Sequence, residues 1–203
     1  MRRKSFILVC ILFAGSLLPA HLKAQGSKSP KLFKKECVLL YEVNFDNRNY
    51  LFNIRIDENS KKGLIFDWFM TSNSGMSGKV KVAPEALQSA TSYLNYFNFK
   101  SDYVLNDKSC VWLAKDVFQK LKAGEKVSLD LGEGLTADFQ LVKDKTSYLV
   151  PVSVRYGDIY GVSAIRIEAE NGKYFMYILD NPEDPVILYM DLNSWYVRLI
   201  GIM

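Results

Sequence analysis

From Ile165 to Ile202 the chain reads as four consecutive strands joined by three short turns, and this run restricts the possible folds more than any other stretch. Connections this short join antiparallel neighbours, because a parallel pair needs a crossover of about a dozen residues or more. Ile165, Ile167 and Ala169 alternate with Arg166, Glu168 and Glu170, and Asn171-Gly172 follows, a pair that accepts the positive φ values of a two-residue type I′ turn. The return strand, Tyr174 to Leu179, is apolar on both faces, with Tyr174, Met176 and Ile178 on one and Phe175, Tyr177 and Leu179 on the other. Such a strand requires cover on both sides. Asp180 to Pro185 breaks pairing through its two prolines, Val186 to Met190 runs back, Leu192 to Ser194 turns, and Trp195 to Ile202 is the fourth strand.

The first residues read differently. Arg2, Arg3 and Lys4 precede an apolar run from Phe6 to Leu18, shorter than the roughly 20 residues of a membrane span, and Ala24 offers a small residue for cleavage. Residues 1–24 are therefore expected to be a cleaved secretory signal, 25–35 a flexible polar leader and 36–203 a single β-rich domain in the periplasm or outside the cell. Export changes the charge balance. The chain holds 26 Lys and Arg against 22 Asp and Glu, but Arg2, Arg3, Lys4 and Lys23 leave with the signal, so the remainder is balanced and gives no reason to expect a nucleic-acid partner. The single histidine, His21, leaves as well. Cys37 and Cys110 are then the remaining cysteines, and two readings stand: a disulfide formed in an oxidising compartment, or two buried, inert thiols.

Between leader and C-terminal sheet the apolar period mostly stays at two. Leu39, Tyr41, Val43 and Phe45 lead to a four-residue turn, Asp46 to Asn49, and Tyr50, Phe52, Ile54 and Ile56 return. Leu64, Phe66, Trp68 and Met70 form a third strand, Thr71 to Gly78 reads as a loop, and Lys79 to Val82 pairs back. The period then lengthens: Pro84 opens a helix reaching Tyr96 through Leu87, Ala90 and Leu94, and Lys115 to Lys122 is a second, ended by Gly124. A strand pair around Gly132-Glu133-Gly134 and another from Tyr148 to Val154 complete a count near eleven strands and two helices.

Catalytic chemistry finds little support. Without histidine there is no Ser-His-Asp or Cys-His nucleophile and no histidine-containing zinc site. Ser-x-x-Lys, Gly-x-Gly-x-x-Gly, Walker and aspartic-protease signatures are missing. Carboxylates remain: Asp67 and Asp138 in strands, and Asp180, Glu183 and Asp184 in one turn. A glycosidase needs two of them facing across a cleft, and a calcium site needs a ligand spacing that this turn does not present. No catalytic residue, metal ligand or cofactor is assigned.

Aromatic residues are the stronger signal. The chain has 12 Tyr, 12 Phe and 3 Trp, largely on alternating strand positions, which suits either a packed sandwich or a curved sheet with an apolar hollow for a lipid-like ligand. In the second case Phe66, Trp68, Met70 and Met76 are the expected ligand-contacting residues. Three stretches, Phe66-Asp67-Trp68-Phe69-Met70-Thr71, Val111-Trp112-Leu113 with Asp116-Val117-Phe118, and Tyr177-Ile178-Leu179-Asp180-Asn181-Pro182 with Pro185-Val186-Ile187-Leu188, resemble an exported Bacteroidota envelope protein family of unknown function, similar in outline to periplasmic half-barrels of the lipoprotein-carrier type. The resemblance rests on apolar and turn residues, so it implies a fold and carries no catalytic residue.

The expected fold is α+β, a mostly antiparallel and strongly curved sheet, half-barrel or sandwich, with two short helices. The expected function is non-catalytic binding or envelope maintenance, with a hydrophobic small molecule or an envelope protein as partner and no stable membrane span. A carboxylate-based, glycosidase-like hydrolase and a structural protein-docking module are the alternatives; the latter predicts an exposed aromatic patch.

Overall fold

The computed structural model describes residues 33–71, 73–144, 147–154 and 158–203. The signal read in 1–24 and the leader up to residue 32 lie outside them. Fourteen strands and two helices are described. The first four strands, β1 (Val38–Phe45), β2 (Arg48–Ser60), β3 (Gly63–Met70) and β4 (Asn73–Val82), form an antiparallel meander. Helix α1 (Pro84–Ser89), β5 (Ser92–Tyr93), β6 (Tyr103–Leu105), β7 (Lys108–Ser109) and α2 (Lys115–Lys122) follow. The rest is β8 (Val127–Asp130), β9 (Thr136–Leu141), β10 (Tyr148–Val154), β11 (Asp158–Ala169), β12 (Phe175–Leu179), β13 (Ile187–Asp191) and β14 (Trp195–Ile202).

All belong to one sheet in the order β6-β4-β3-β2-β1-β14-β13-β12-β11-β9-β8-β5-β7. β10 pairs β11 antiparallel and touches the end of β14 in parallel, through Ser153 with Gly201 and Val154 with Ile202, so β10 to β14 close into a small barrel. The chain is thus β-rich, with two short helices laid on a curved sheet. The meander buries Leu39, Tyr41, Ile54, Ile56, Phe66, Trp68 and Val80 in one core, and α2 buries Val117, Phe118 and Leu121 against Leu129, Phe139, Ile167 and Ile178 in a second. Phe33, which the sequence places in the leader, is buried with its ring edge-on to Trp112.

Several local expectations are corrected. The helix from Pro84 to Tyr96 stops at Ser89, and Ala90 is already extended. Neighbouring chain captures the backbone beyond it: Thr91 accepts from the Asp130 N–H and the Leu94 N–H donates to Ser109. Leu94 and Phe97 still reach the core, but from an extended strap. The type I′ turn belongs to Asp46-Asn47, both at positive φ, with Phe45 opposite Arg48. Asn171-Gly172 instead lies in a longer connection closed by Ala169 N–H to Tyr174 O, with Gly172 alone of the two at positive φ. The loop from Thr71 to Gly78 is largely β4, where Gly75 and Gly78 let Phe99 and Ser101 approach the strand closely. The strand expected at Cys110 to Leu113 reduces to one bridge between Trp112 and Val186.

Candidate functional site

Phe66 and Trp68 are fully buried, and Met70 and Met76 are half-buried against the same core. The strap over them brings Phe97 to 4.9 Å from the Phe52 ring and 5.1 Å from the Trp68 ring. Trp68 donates to the Ser101 carbonyl at 3.2 Å, and Tyr103 closes the group edge-on to Phe97. These aromatic residues pack on one another.

Cys37 and Cys110 are buried thiols close enough to Tyr41 that both act on its phenol, whose pKa is pushed far up, first by burial and then by the two sulfurs. Tyr41 donates to the Ile187 carbonyl at 3.0 Å.

The carboxylates singled out above each have a partner or a separate place. Asp67 bridges Arg55 at 2.5 Å and Lys79 at 2.8 Å. Burial pushes its pKa upward, but hydrogen bonds from Lys79 and Arg55 outweigh that and hold it below the ordinary value, the reverse of what a general acid needs. Asp138 lies on β9, at the opposite end of the strand order from β3. In the proline turn, Asp180 pairs Lys122, Glu183 pairs Lys115 and Asp184 accepts from Asn59. Among the described residues no group of three or more acidic, cysteine or histidine side chains is placed to hold a metal ion.

What the sequence did not assemble is a face across β1, β14, β13, β12 and β11. The ladder register puts Glu42, Arg198, Tyr189, Tyr177 and Arg166 in one row, and Asn44, Tyr196, Asp191, Phe175 and Glu168 in the next. Cross-strand neighbours on one face are within side-chain reach, and the rings touch. Tyr196 stacks on Tyr189 at 5.9 Å, Tyr189 on Phe175 at 5.5 Å, Phe175 meets Tyr177 edge-on at 6.0 Å, and Tyr177 meets Tyr148 at 5.2 Å. Five half-buried rings form one ladder, and two of them, Tyr148 and Tyr177, also pack against the first core.

Charges bracket it. Arg198 bridges Glu42 at 2.7 Å, Arg166 bridges Glu168 at 2.8 Å, and the Arg166 guanidinium lies 5.0 Å from the Phe175 ring centre, within cation–π range. Tyr189 donates to Asp191 at 3.1 Å, and its pKa is pushed up to about 12 by burial first and then by that carboxylate. The sequence showed half of this, since Phe175 and Tyr177 lie on a strand requiring cover on both sides. The other half depends on a register shift between Tyr177 and Ile178, which no alternation pattern reveals.

No protein-family model matches the chain, and no curated protein matches it significantly. Among the described residues no helix is long and apolar enough to cross a membrane.

Proposed function

We propose that this chain is a non-catalytic binding domain of the periplasm or cell exterior that docks an envelope protein on its tyrosine ladder. The observation that carries the reading is the contiguous, half-buried series Tyr148, Tyr177, Phe175, Tyr189 and Tyr196 between the ion-paired Arg166 and Arg198. Tyrosine and arginine are the residues enriched where proteins bind one another: a tyrosine ring gives a large amphipathic contact with two rotatable bonds to fix, and its hydroxyl stays available to hydrogen-bond. The stacked rings are already held by their neighbours, so little order remains to be imposed on binding. This favours the docking reading over a hydrophobic ligand at Phe66, Trp68, Met70 and Met76, where the space beside the two large rings is taken by Phe52 and Phe97.

Site-specific photo-crosslinking in the native cell tests it. A benzophenone amino acid replaces Tyr189 or Tyr196 in turn, with Lys61 in the exposed β2–β3 turn as control. A discrete adduct at both ladder positions and none at Lys61 is expected. Equal labelling at all three, or none at the ladder, overturns the reading, and a lipid mass retained on the native protein restores the hydrophobic-ligand alternative.

A further inference from the structure

β11 outruns one of its two neighbours. Ala164 is opposite Tyr148 of β10 and also opposite Leu179 of β12, so those two strands lie on opposite edges of β11. β10 covers its edge from Asp158 onward. β12 covers the other only from Ala164, with one further bond from the Asp180 N–H to the Ser163 carbonyl at 3.0 Å. From Asp158 to Val162 that second edge has no partner strand among the described residues. In an antiparallel ladder the N–H and C=O of one residue point to the same edge, and successive residues alternate. Ser163 points to the β12 side, so Gly161 and Ile159 do as well, and their backbone groups line the open edge.

Open edges invite pairing with another chain, and folded proteins protect them by shortness, proline, charge or bulges. The strands at the two ends of the sheet are short, β6 with three residues and β7 with two. On β10, Pro151 stands opposite Gly161, so the N–H it lacks belongs to the edge away from β11, where proline blocks pairing without costing a bond to β11. The open edge of β11 is protected only at its end, by Asp158. The following residues, Ile159, Tyr160, Gly161 and Val162, include no proline and no charge, and their register with β10 runs without a bulge. Ile159 and Tyr160 are 72% and 46% exposed.

We propose that this edge pairs antiparallel with the same edge of a second copy of the chain, about a two-fold axis at Tyr160. Backbone parity and charge select this partner. Ile159 and Gly161 both point outward, so the two copies exchange hydrogen bonds when Ile159 of each is opposite Gly161 of the other, with Tyr160 opposite Tyr160 in the narrow pair between them. Asp158 then faces Val162 of the second copy, whereas an in-register parallel pairing would set Asp158 beside Asp158, and like charges across strands are unfavourable. Ile159 covers the bare backbone of Gly161. The pairing ends before Ser163, whose carbonyl Asp180 already occupies. A two-fold arrangement also closes on itself and leaves neither copy's edge free to propagate. The contact is small, so the dimer belongs to the weak, transient class. It does not depend on docking at the tyrosine ladder.

The test is analytical ultracentrifugation of the full chain from about 10 µM to 1 mM, the range in which a weak dimer forms. The mass should rise from one copy toward two. Ile159→Lys places a charge on the edge at an exposed position, so it should weaken self-association about tenfold or more and leave the melting temperature unchanged. Register is read by Tyr160→Cys, which brings two thiols together across the narrow pair and should yield a disulfide-linked dimer with oxidised glutathione. Ser163→Cys, also exposed but far from its counterpart in this register, should remain monomeric under the same treatment. A single-copy mass at every concentration, self-association unchanged by Ile159→Lys, or equal crosslinking at residues 160 and 163 overturns the proposal. The photo-crosslinking at Tyr189 and Tyr196 reads the ladder and not this edge, so the two readings fail separately.

Discussion

Trp68 on β3 donates its indole N–H to the carbonyl of Ser101 in the strap, 3.2 Å away, across the backbone of Gly78. A Cβ at residue 78 would stand 2.1 Å from the Ser101 oxygen and 2.8 Å from the indole nitrogen. The strap's closest approach to the sheet therefore requires glycine. Gly78→Ala is expected to cost about 1–3 kcal/mol, the usual penalty of overpacking, and to speed hydrogen exchange through the strap, because the backbone oxygen must retreat. Urea denaturation with exchange mass spectrometry reads both, and a variant of unchanged stability with a fully protected strap contradicts the account.

Core and ladder rings should respond differently to truncation. Phe66 is fully buried beneath Trp112, at 6.4 Å between ring centres, so Phe66→Ala is expected to cost about 3–5 kcal/mol. Tyr196 is half-exposed at the ladder's end and stacks on Tyr189 alone among the described ring pairs, so Tyr196→Ala should cost about 0.5–1.5 kcal/mol, the size of one aromatic pair. Chemical denaturation of the two variants separates a structural ring from a surface ring. Equal losses would mean that the ladder is part of the core.

The difference between those two residues also shows what the sequence could reveal. Strict alternation marks Leu64, Phe66 and Trp68 as one face of a strand, and burial on that face follows directly. The Trp195 to Ile202 strand and the helix from Lys115 to Lys122 have the limits that alternation and Gly124 imply. The ladder was legible only strand by strand. Tyr189 meets Tyr177 because a register shift interrupts the pairing of β12 with β13, and β9 and β10 share β11 as a partner. The first is a bulge inside a hairpin and the second a pairing between segments farther apart, and neither is written in local propensity. The shortened α1 failed for the same reason: helical spacing through Leu94 and Phe97 was real, but β5 offered the backbone better partners.

Cys110 is a buried thiol whose pKa is pushed up to about 12, chiefly by burial, so its thiolate is scarce at neutral pH. Alkylation of the native protein at neutral pH should leave Cys110 unmodified over hours, and unfolding without reductant should expose it to rapid labelling along with Cys37. Peptide mass mapping reads each site. Failure of both to label until a reductant is added would show instead that the protein carries a Cys37–Cys110 disulfide.

The pH profile follows from which groups shift and in which direction. Asp67 and Glu183 are held below their ordinary values of 3.8 and 4.5: Asp67 because Lys79 and Arg55 outweigh burial, Glu183 chiefly by its hydrogen bond to Lys115. A depressed carboxylate contributes stability above its unfolded pKa and loses it as pH falls through the folded one, so acid destabilisation begins below about pH 4.5. Tyr41, Tyr93 and Tyr189 are raised above the ordinary 10.0, and Cys110 above 9.0, each first by burial. These groups are stabilising while protonated, in full below their unfolded values, and the contribution declines as pH rises from about 9 through the folded ones. Stability should therefore be flat from about pH 5 to 8 and fall on both sides. Asp191→Asn removes the charge next to Tyr189, so in an ultraviolet phenolate titration that ring should ionise at lower pH than in the unsubstituted protein. Burial should still keep it above 10.0. A Tyr189 titration unchanged by Asp191→Asn would show that the carboxylate does not act on the ladder, and would leave burial alone to set the alkaline limb.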